Sequence, residues 1–267
     1  MFYIKANGMR FAIDIFGDAK NKPVFLIHGL TYQRMTTARL AEALMDEYFV
    51  VTYDCRGHGQ SSHPASYTLK DHAEDLLALI DVFGYEKASV VGVSMGSYIA
   101  LQAAEMAPEK FEKVALVTAK SYDDGNGSSI QRLMKEAGLD LREASKEDMM
   151  KVINKALWSP TITPERMEEV AQKLVPEGEN VVQLTPEETA AVNQALKGFD
   201  LRPGFSKATC RTLVLSGTYD GINPPPLGKE IANALPNAIY DEIQGGHAFE
   251  AEFPDDYHNR IREFLAE

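Results

Sequence analysis

Two cysteines, a single tryptophan and a shortage of basic residues are the first bounds on this chain. Cys55 and Cys210 belong to no C-x-x-C pair and no histidine cluster, which argues against zinc and for two buried, reduced thiols. Lys and Arg number 27 against 39 Asp and Glu, a formal net charge of −12. That balance argues against nucleic acid and anionic membrane surfaces as partners. No apolar run approaches a membrane span. Residues 1–11 lack the continuous apolar core of a signal peptide, so a cytoplasmic location is expected. Internal repeats and low-complexity tracts are also missing. What the 267 residues do have is 45% hydrophobic content, enough to bury a sizeable core in one large α/β domain or a domain with an insertion.

The pattern along the chain is a strand–helix alternation. Two short alternating segments, 2–6 and 10–16, flank Asn7-Gly8, a strong hairpin signal. Continuous apolar runs at 23–28, 48–53, 87–93 and 113–118 read as strands buried on both faces. Segments 34–46, 69–83 and 97–106 read as helices between them. Such alternation implies a mostly parallel sheet covered on both sides. It stops near Lys120. Residues 122–199 are charged and helix-like, with helices expected at 130–137, 146–157, 164–174 and 186–196 after a loop at 123–127. Pro164 and Pro186 each follow a threonine, which suits proline in the first turn behind an N-cap. The alternation resumes with strands at 211–216 and 238–243 and helices at 226–235 and 255–266. An all-helical insert at this point reads as a lid or cap over the C-terminal strand edge, where ligands bind in open α/β sheets. The expected division is a core of residues 1–120 and 201–267 and a helical cap of residues 121–200.

Chemistry concentrates at Gly92-Val93-Ser94-Met95-Gly96, where a buried strand turns into a helix. A serine between two glycines in this setting is the pattern of a nucleophile elbow. Glycines two before and two after let the tight turn form, and the helix N-terminus favours developing negative charge. The hydroxyl needs a base, and the base needs an acid to orient it. After Ser94 only His247 and His258 remain as bases. His247 follows the last strand behind Gly245-Gly246 and is the expected base. His258 lies within the final helix and reads as a solvated surface histidine. Asp220, at the tip of the 211–216 strand, is the expected acid, with Asp123 or Asp124 as rivals. Backbone N–H groups of Met95 and Leu30 are the expected oxyanion donors. His28 precedes the serine and reads as a loop-shaping polar group. For substrate binding, Trp158 either lines the pocket or anchors the cap. Lys120 either pairs with a substrate carboxylate or stays exposed. Met134, Met149, Met150 and Met167 supply either an adaptable apolar wall or ordinary cap core.

Five segments together carry a resemblance: His28-Gly29, Asp54 to Ser61, the elbow, Gly217 to Asp220, and Gly246-His247. Over its whole length the chain resembles α/β-hydrolase-fold enzymes. The resemblance implies a mostly parallel eight-stranded sheet flanked by helices, with a helical cap inserted after the sixth strand. It implies the triad Ser94, Asp220 and His247, and a shaping rather than catalytic use of Asp54, Arg56 and His58. Within the family the chain is similar to bacterial carboxylesterases, enol-lactonases of the 3-oxoadipate type, and cofactor-free haloperoxidase or perhydrolase relatives. Phe199 to Pro203 is similar to enol-lactonases in particular. Ser97 departs from the second glycine such relatives carry after the elbow. The expected activity is hydrolysis of a small carboxylic ester or lactone through an acyl-enzyme, without metal or organic cofactor, by a monomer or homodimer. Carbon–carbon bond hydrolysis or perhydrolysis on the same triad is an alternative. A non-catalytic small-molecule sensor that retains the triad is another.

Overall fold

Eight strands pair into one sheet: β1 (Phe2–Ala6), β2 (Met9–Phe16), β3 (Lys22–Ile27), β4 (Tyr48–Tyr53), β5 (Ala88–Val93), β6 (Phe111–Val117), β7 (Arg211–Gly217) and β8 (Ala238–Ile243). Their spatial order is β1-β2-β4-β3-β5-β6-β7-β8. The computed structural model describes residues 1–125, 129–140, 142–173 and 181–267. β1 and β2 form an antiparallel hairpin across Asn7-Gly8, and β2 runs antiparallel to β4. All other pairings are parallel. β4 and β5 are buried along their whole length, as strands covered on both faces must be.

Two apolar layers provide that cover. Helices α1 (Ala38–Leu44) and, at the end of the chain, α10 (Pro254–Ala266) set Leu40, Leu44, Ile261 and Phe264 against one face. Helices α2 (Leu69–Val82), α3 (Met95–Met106) and α8 (Pro225–Ala234) set Leu76, Leu79, Ile99 and Ile231 against the other. Between β6 and β7 lie α4 (Ser129–Glu136), α5 (Lys146–Leu157), α6 (Pro164–Lys173) and α7 (Pro186–Ala195). Thr185 and Glu188 form a capping box at the start of α7, and Ser145 caps α5 by accepting the Asp148 N–H. Residue 174 of the expected third helix and residues 126–127 of the expected loop lie outside the described residues.

Two local differences from expectation have physical causes. The expected helix at 34–46 opens as a tighter turn, Arg34–Thr37, before α1. Arg34 is held there from both ends: its N–H and Nη1 reach Asp54, and its Nε lies 2.8 Å from Asp14. A short helix α9 (Phe249–Glu252), too brief for a periodic signal, follows His247. Among the described residues no helix is long and apolar enough to cross a membrane.

The segment from Asp54 to Ser61 is built as scaffold. The Asp54 carboxylate accepts the N–H groups of Arg34 and Gln60, at 2.7 and 2.8 Å. Ser61 Oγ donates to the Asp54 carbonyl and accepts the Ala12 N–H, stitching β4 to β2. Arg56 makes a two-pronged bond to Asp75 on α2, 2.5 Å on each arm. Both thiols, Cys55 and Cys210, are buried and free.

Candidate active site

β5 ends at Val93, and the chain reverses into α3 within one residue. Ser94 occupies φ 51°, ψ −114°, a conformation that L residues rarely adopt. The reversal leaves no room for side chains beside it. A Cβ on Gly92 would lie 2.2 Å from the Gly96 carbonyl oxygen, and one on Gly96 would lie 2.3 Å from that of Ile27. Ser94 N–H is fixed to the Val117 carbonyl at 2.9 Å.

The loops after β7 and β8 meet this turn. His247 Nε2 lies 3.1 Å from Ser94 Oγ, and His247 Nδ1 lies 2.8 Å from Asp220 Oδ2. With Nδ1–H donating to Asp220, Nε2 presents its lone pair to the serine hydroxyl. The other oxygen of Asp220 accepts the N–H groups of Ile222 and Asn223, both at 2.8 Å, so the carboxylate cannot rotate away. Burial would lower the His247 pKa, but the charge and hydrogen bond of Asp220 prevail and raise it.

Ser94 and His247 face a cavity of about 740 Å³, which Leu30, Met95, Tyr32, Tyr98, Lys120 and Glu250 also line. Met95 opens α3, so its N–H has no carbonyl one turn back. Leu30 N–H donates no hydrogen bond to the described residues. Leu30 and Met95 both line the cavity that Ser94 and His247 face.

The sequence profile of the alpha/beta hydrolase fold matches residues 22–254. The chain belongs to the alpha/beta hydrolase fold family. The hydrolase is 29% identical over 256 residues to a Caulobacter vibrioides protein named "Putative carbamate hydrolase RutD", covering 92% of this chain and 91% of that one. It is 25% identical over 252 residues to 3-oxoadipate enol-lactonase 2 of Acinetobacter baylyi, covering 92% and 89%. Among solved structures, it is similar to an enol-lactonase from Burkholderia xenovorans. That match has a TM-score of 0.79 and 26% identity, covering 99% of this chain and 100% of that one. A malate-bound thermophilic esterase from Thermogutta terrifontis gives a TM-score of 0.80 at 25% identity, covering 100% and 98%.

The other expected residues take differing places in this hydrolase. Asp123 does not reach His247. It pairs with Lys120 at 3.2 Å and accepts the N–H groups of Gly125 and Gly198. Asp124 is exposed. Lys120 is not a surface lysine: it lines the cavity, with its ammonium over the rings of Tyr98 and Phe199.

Trp158 does not line the cavity; Leu157 does. α5 ends at Leu157, and the extended backbone of Trp158 packs on the His247 loop so closely that a Cβ on Gly246 would lie 2.6 Å from it. The anchoring alternative fits this placement. None of the four methionines walls the cavity either. Met134 is buried and Met150 is exposed, and Ile153, Leu157 and Leu196 take the wall.

His258 is half-buried rather than solvated, with its ring 5.7 Å from that of Tyr257 and its pKa lowered by burial. His28 is a fully buried tie. Its Nδ1–H donates to the Gly29 carbonyl and its Nε2 accepts the Cys55 N–H, joining the tips of β3 and β4. Burial lowers its pKa to about 4.

Several site residues escaped the sequence reading. Tyr98 stands one helical turn after Ser94, a spacing that offered a signal. Its hydroxyl accepts from Asn223 Nδ2 at 2.6 Å, and the same amide donates to the Thr118 carbonyl at 2.7 Å. Asn223 so links the Asp220 loop to α3. Glu252 Oε1 accepts the N–H groups of Gly246 and Ser159, both at 3.0 Å. Ser97, the departure from the subgroup pattern, donates its hydroxyl to the Ser94 carbonyl at 2.6 Å.

Proposed function

We propose that this hydrolase cleaves a small carboxylic ester or lactone through an acyl-enzyme on Ser94. The observation that carries the reading is the chain of contacts from Ser94 Oγ to His247 Nε2 and from His247 Nδ1 to Asp220 Oδ2. Ser94 attacks the carbonyl while His247 takes its proton. The N–H groups of Leu30 and Met95 stabilise the oxyanion, a contribution on the order of 10²–10³ in rate per donor. His247 then protonates the leaving alkoxide, and the same groups run in reverse when water releases the acyl group. Asp220 holds the His247 tautomer and stabilises its charged form. Residues 121–200 serve as the cap, with Ile153, Leu157 and Leu196 shaping the substrate cavity. Lys120 is the candidate for a substrate carboxylate. The enol-lactonase and esterase relatives support this substrate class.

The test is a panel of p-nitrophenyl esters of varied chain length, lactones, a 3-oxoadipate enol-lactone and a simple carbamate. It is run against wild type and Ser94→Ala. Turnover of an ester or lactone that Ser94→Ala lacks supports the reading. Turnover that survives the substitution, or a preference for the carbamate alone, counts against it.

A further inference from the structure

Glu250 stands three residues after His247, in the first turn of α9, and lines the same cavity as Ser94 and His247. Its Oε2 is buried and accepts no hydrogen bond from the described residues. Burying an unpartnered carboxyl oxygen is costly. Glu252, two residues on, spends its carboxylate on the N–H groups of Gly246 and Ser159; Glu250 draws on its own backbone N–H and leaves Oε2 unpartnered among the described residues. The steps proposed above leave Glu250 without a role.

Its surroundings come from several elements. His247 and Asp220 face it from the loops after β8 and β7, and Glu252 from α9 itself. Tyr32, after β3, and Tyr257, on α10, face it as well. Glu250 also walls a small neighbouring cavity that His28, Arg39, Lys173 and His258 line. Burial pushes Tyr32 up to about 12 and Tyr257 well above its ordinary value, so both stay neutral. Burial raises Glu250 to about 7, against the opposing pull of its own backbone N–H and of His247. In turn, the Glu250 charge helps raise His247.

We propose that Glu250 is a positioning residue for the hydrolytic reaction, whose carboxylate stabilises the His247 imidazolium formed when Ser94 gives up its proton. The inference rests on the ester- or lactone-hydrolase reading. Glu250 itself transfers no proton in the step: the Ser94 proton moves to His247 Nε2 and on to the leaving alkoxide. The carboxyl is neutral in mild acid and charged in mild base, so its support strengthens as pH rises through neutrality.

Glu250→Gln keeps the shape and removes the charge. Two readouts are followed: the Cε1–H resonance of His247 against pH, and kcat/KM for p-nitrophenyl butyrate from pH 5 to 9. In wild type, His247 titrates in two coupled steps. In Glu250→Gln it titrates in one, with its midpoint lower by about 0.5–1.5 pH units. kcat/KM of the variant falls about 5- to 20-fold at pH 8.5 and equals or exceeds wild type at pH 6. An unmoved His247 midpoint, or a loss uniform across pH, overturns the proposal. If the variant does not fold, a single-step His247 titration in wild type overturns it alone. The resonance does not depend on turnover, so an ester activity that survives Ser94→Ala would sink the hydrolase reading and leave the Glu250 result readable.

Discussion

The Leu157 carbonyl accepts the Ala248 N–H at 3.0 Å, which bonds the last residue of α5 to the residue after His247. One residue earlier, the Ala156 carbonyl accepts the Gly221 N–H, beside Asp220, at 3.0 Å. The segment between β6 and β7 is therefore tied by backbone to both loops that meet Ser94. Glu252 reinforces the tie through Gly246 and Ser159.

Glu252→Ala strands these two buried N–H groups. At about 1–3 kcal/mol for each unsatisfied group, a loss of roughly 2–6 kcal/mol is expected in urea denaturation. Because Gly246 precedes His247, kcat is expected to fall at least about tenfold through lost positioning of the base. A stability loss with kcat intact would show that the tie serves folding only.

Asp220→Asn and Asp123→Asn separate the two candidate acids. The first removes the carboxylate on His247 and is expected to lower kcat about 10³- to 10⁴-fold. The second breaks the Lys120 pair and is expected to cost less than about threefold in kcat, since uniform effects on binding appear in KM instead. Comparable losses in both variants would contradict this assignment.

Ser97→Gly restores the subgroup pattern. It deletes the bond to the Ser94 carbonyl and places glycine in the first turn of α3, for an expected loss of about 1–2 kcal/mol. Activity is expected to stay near wild type, because the backbone donors remain. The check is a chemical denaturation curve beside a p-nitrophenyl butyrate assay.

Lys120→Ala is expected to raise KM for a carboxylate-bearing ester about ten- to a hundredfold, the size of one charge-assisted hydrogen bond, and to leave a neutral ester of similar size unchanged. Unchanged Michaelis constants for both would end the carboxylate assignment.

Thermal stability is expected to peak near pH 6.5. Burial lowers His28 to about 4 and His58 to about 3, and takes His72 well below its ordinary value. Unfolded, these side chains bind protons below about 6.5 and the folded ones do not. Stability therefore falls with acidification by about 1.4 kcal/mol per pH unit for each histidine. Glu105 and Glu250, raised by burial to about 8 and 7, act in the opposite sense. They keep protons that the unfolded chain has released, and that contribution is lost as pH climbs toward 8. His247, also raised, adds to the alkaline loss. Three histidines outweigh two acids below 6.5, and only losses remain above it. A melting temperature that rises steadily from pH 6.5 to 8.5 would contradict this balance.

The strand and helix pattern was legible because its signals are short-range. β4, β8 and α5 run over the same residues that apolar runs and periodicity select, and Asn7-Gly8 closes the hairpin it announces. The elbow was legible for the same reason: glycine spacing around Ser94 is a local steric requirement. Side-chain neighbours were not. Leu157 rather than Trp158 lines the cavity because α5 ends one residue earlier than the tryptophan. His258 is drawn in because α10 packs Tyr257 and Ile261 on the sheet.

The order of residues along the chain thus sets the strands, the turn that presents Ser94 and the short list of partners it could have. Meeting those partners is a matter of sheet order and register. Ser94 and His247 are 153 positions apart, and Asp220 and His247 are 27 apart. They converge because β5, β6, β7 and β8 lie side by side and parallel, so the loops at their C-terminal ends share one edge. The same convergence turns Asp123 toward Lys120 and leaves Glu250 half-buried, one carboxylate oxygen enclosed, on the cavity that His247 lines, placements that no local pattern encodes.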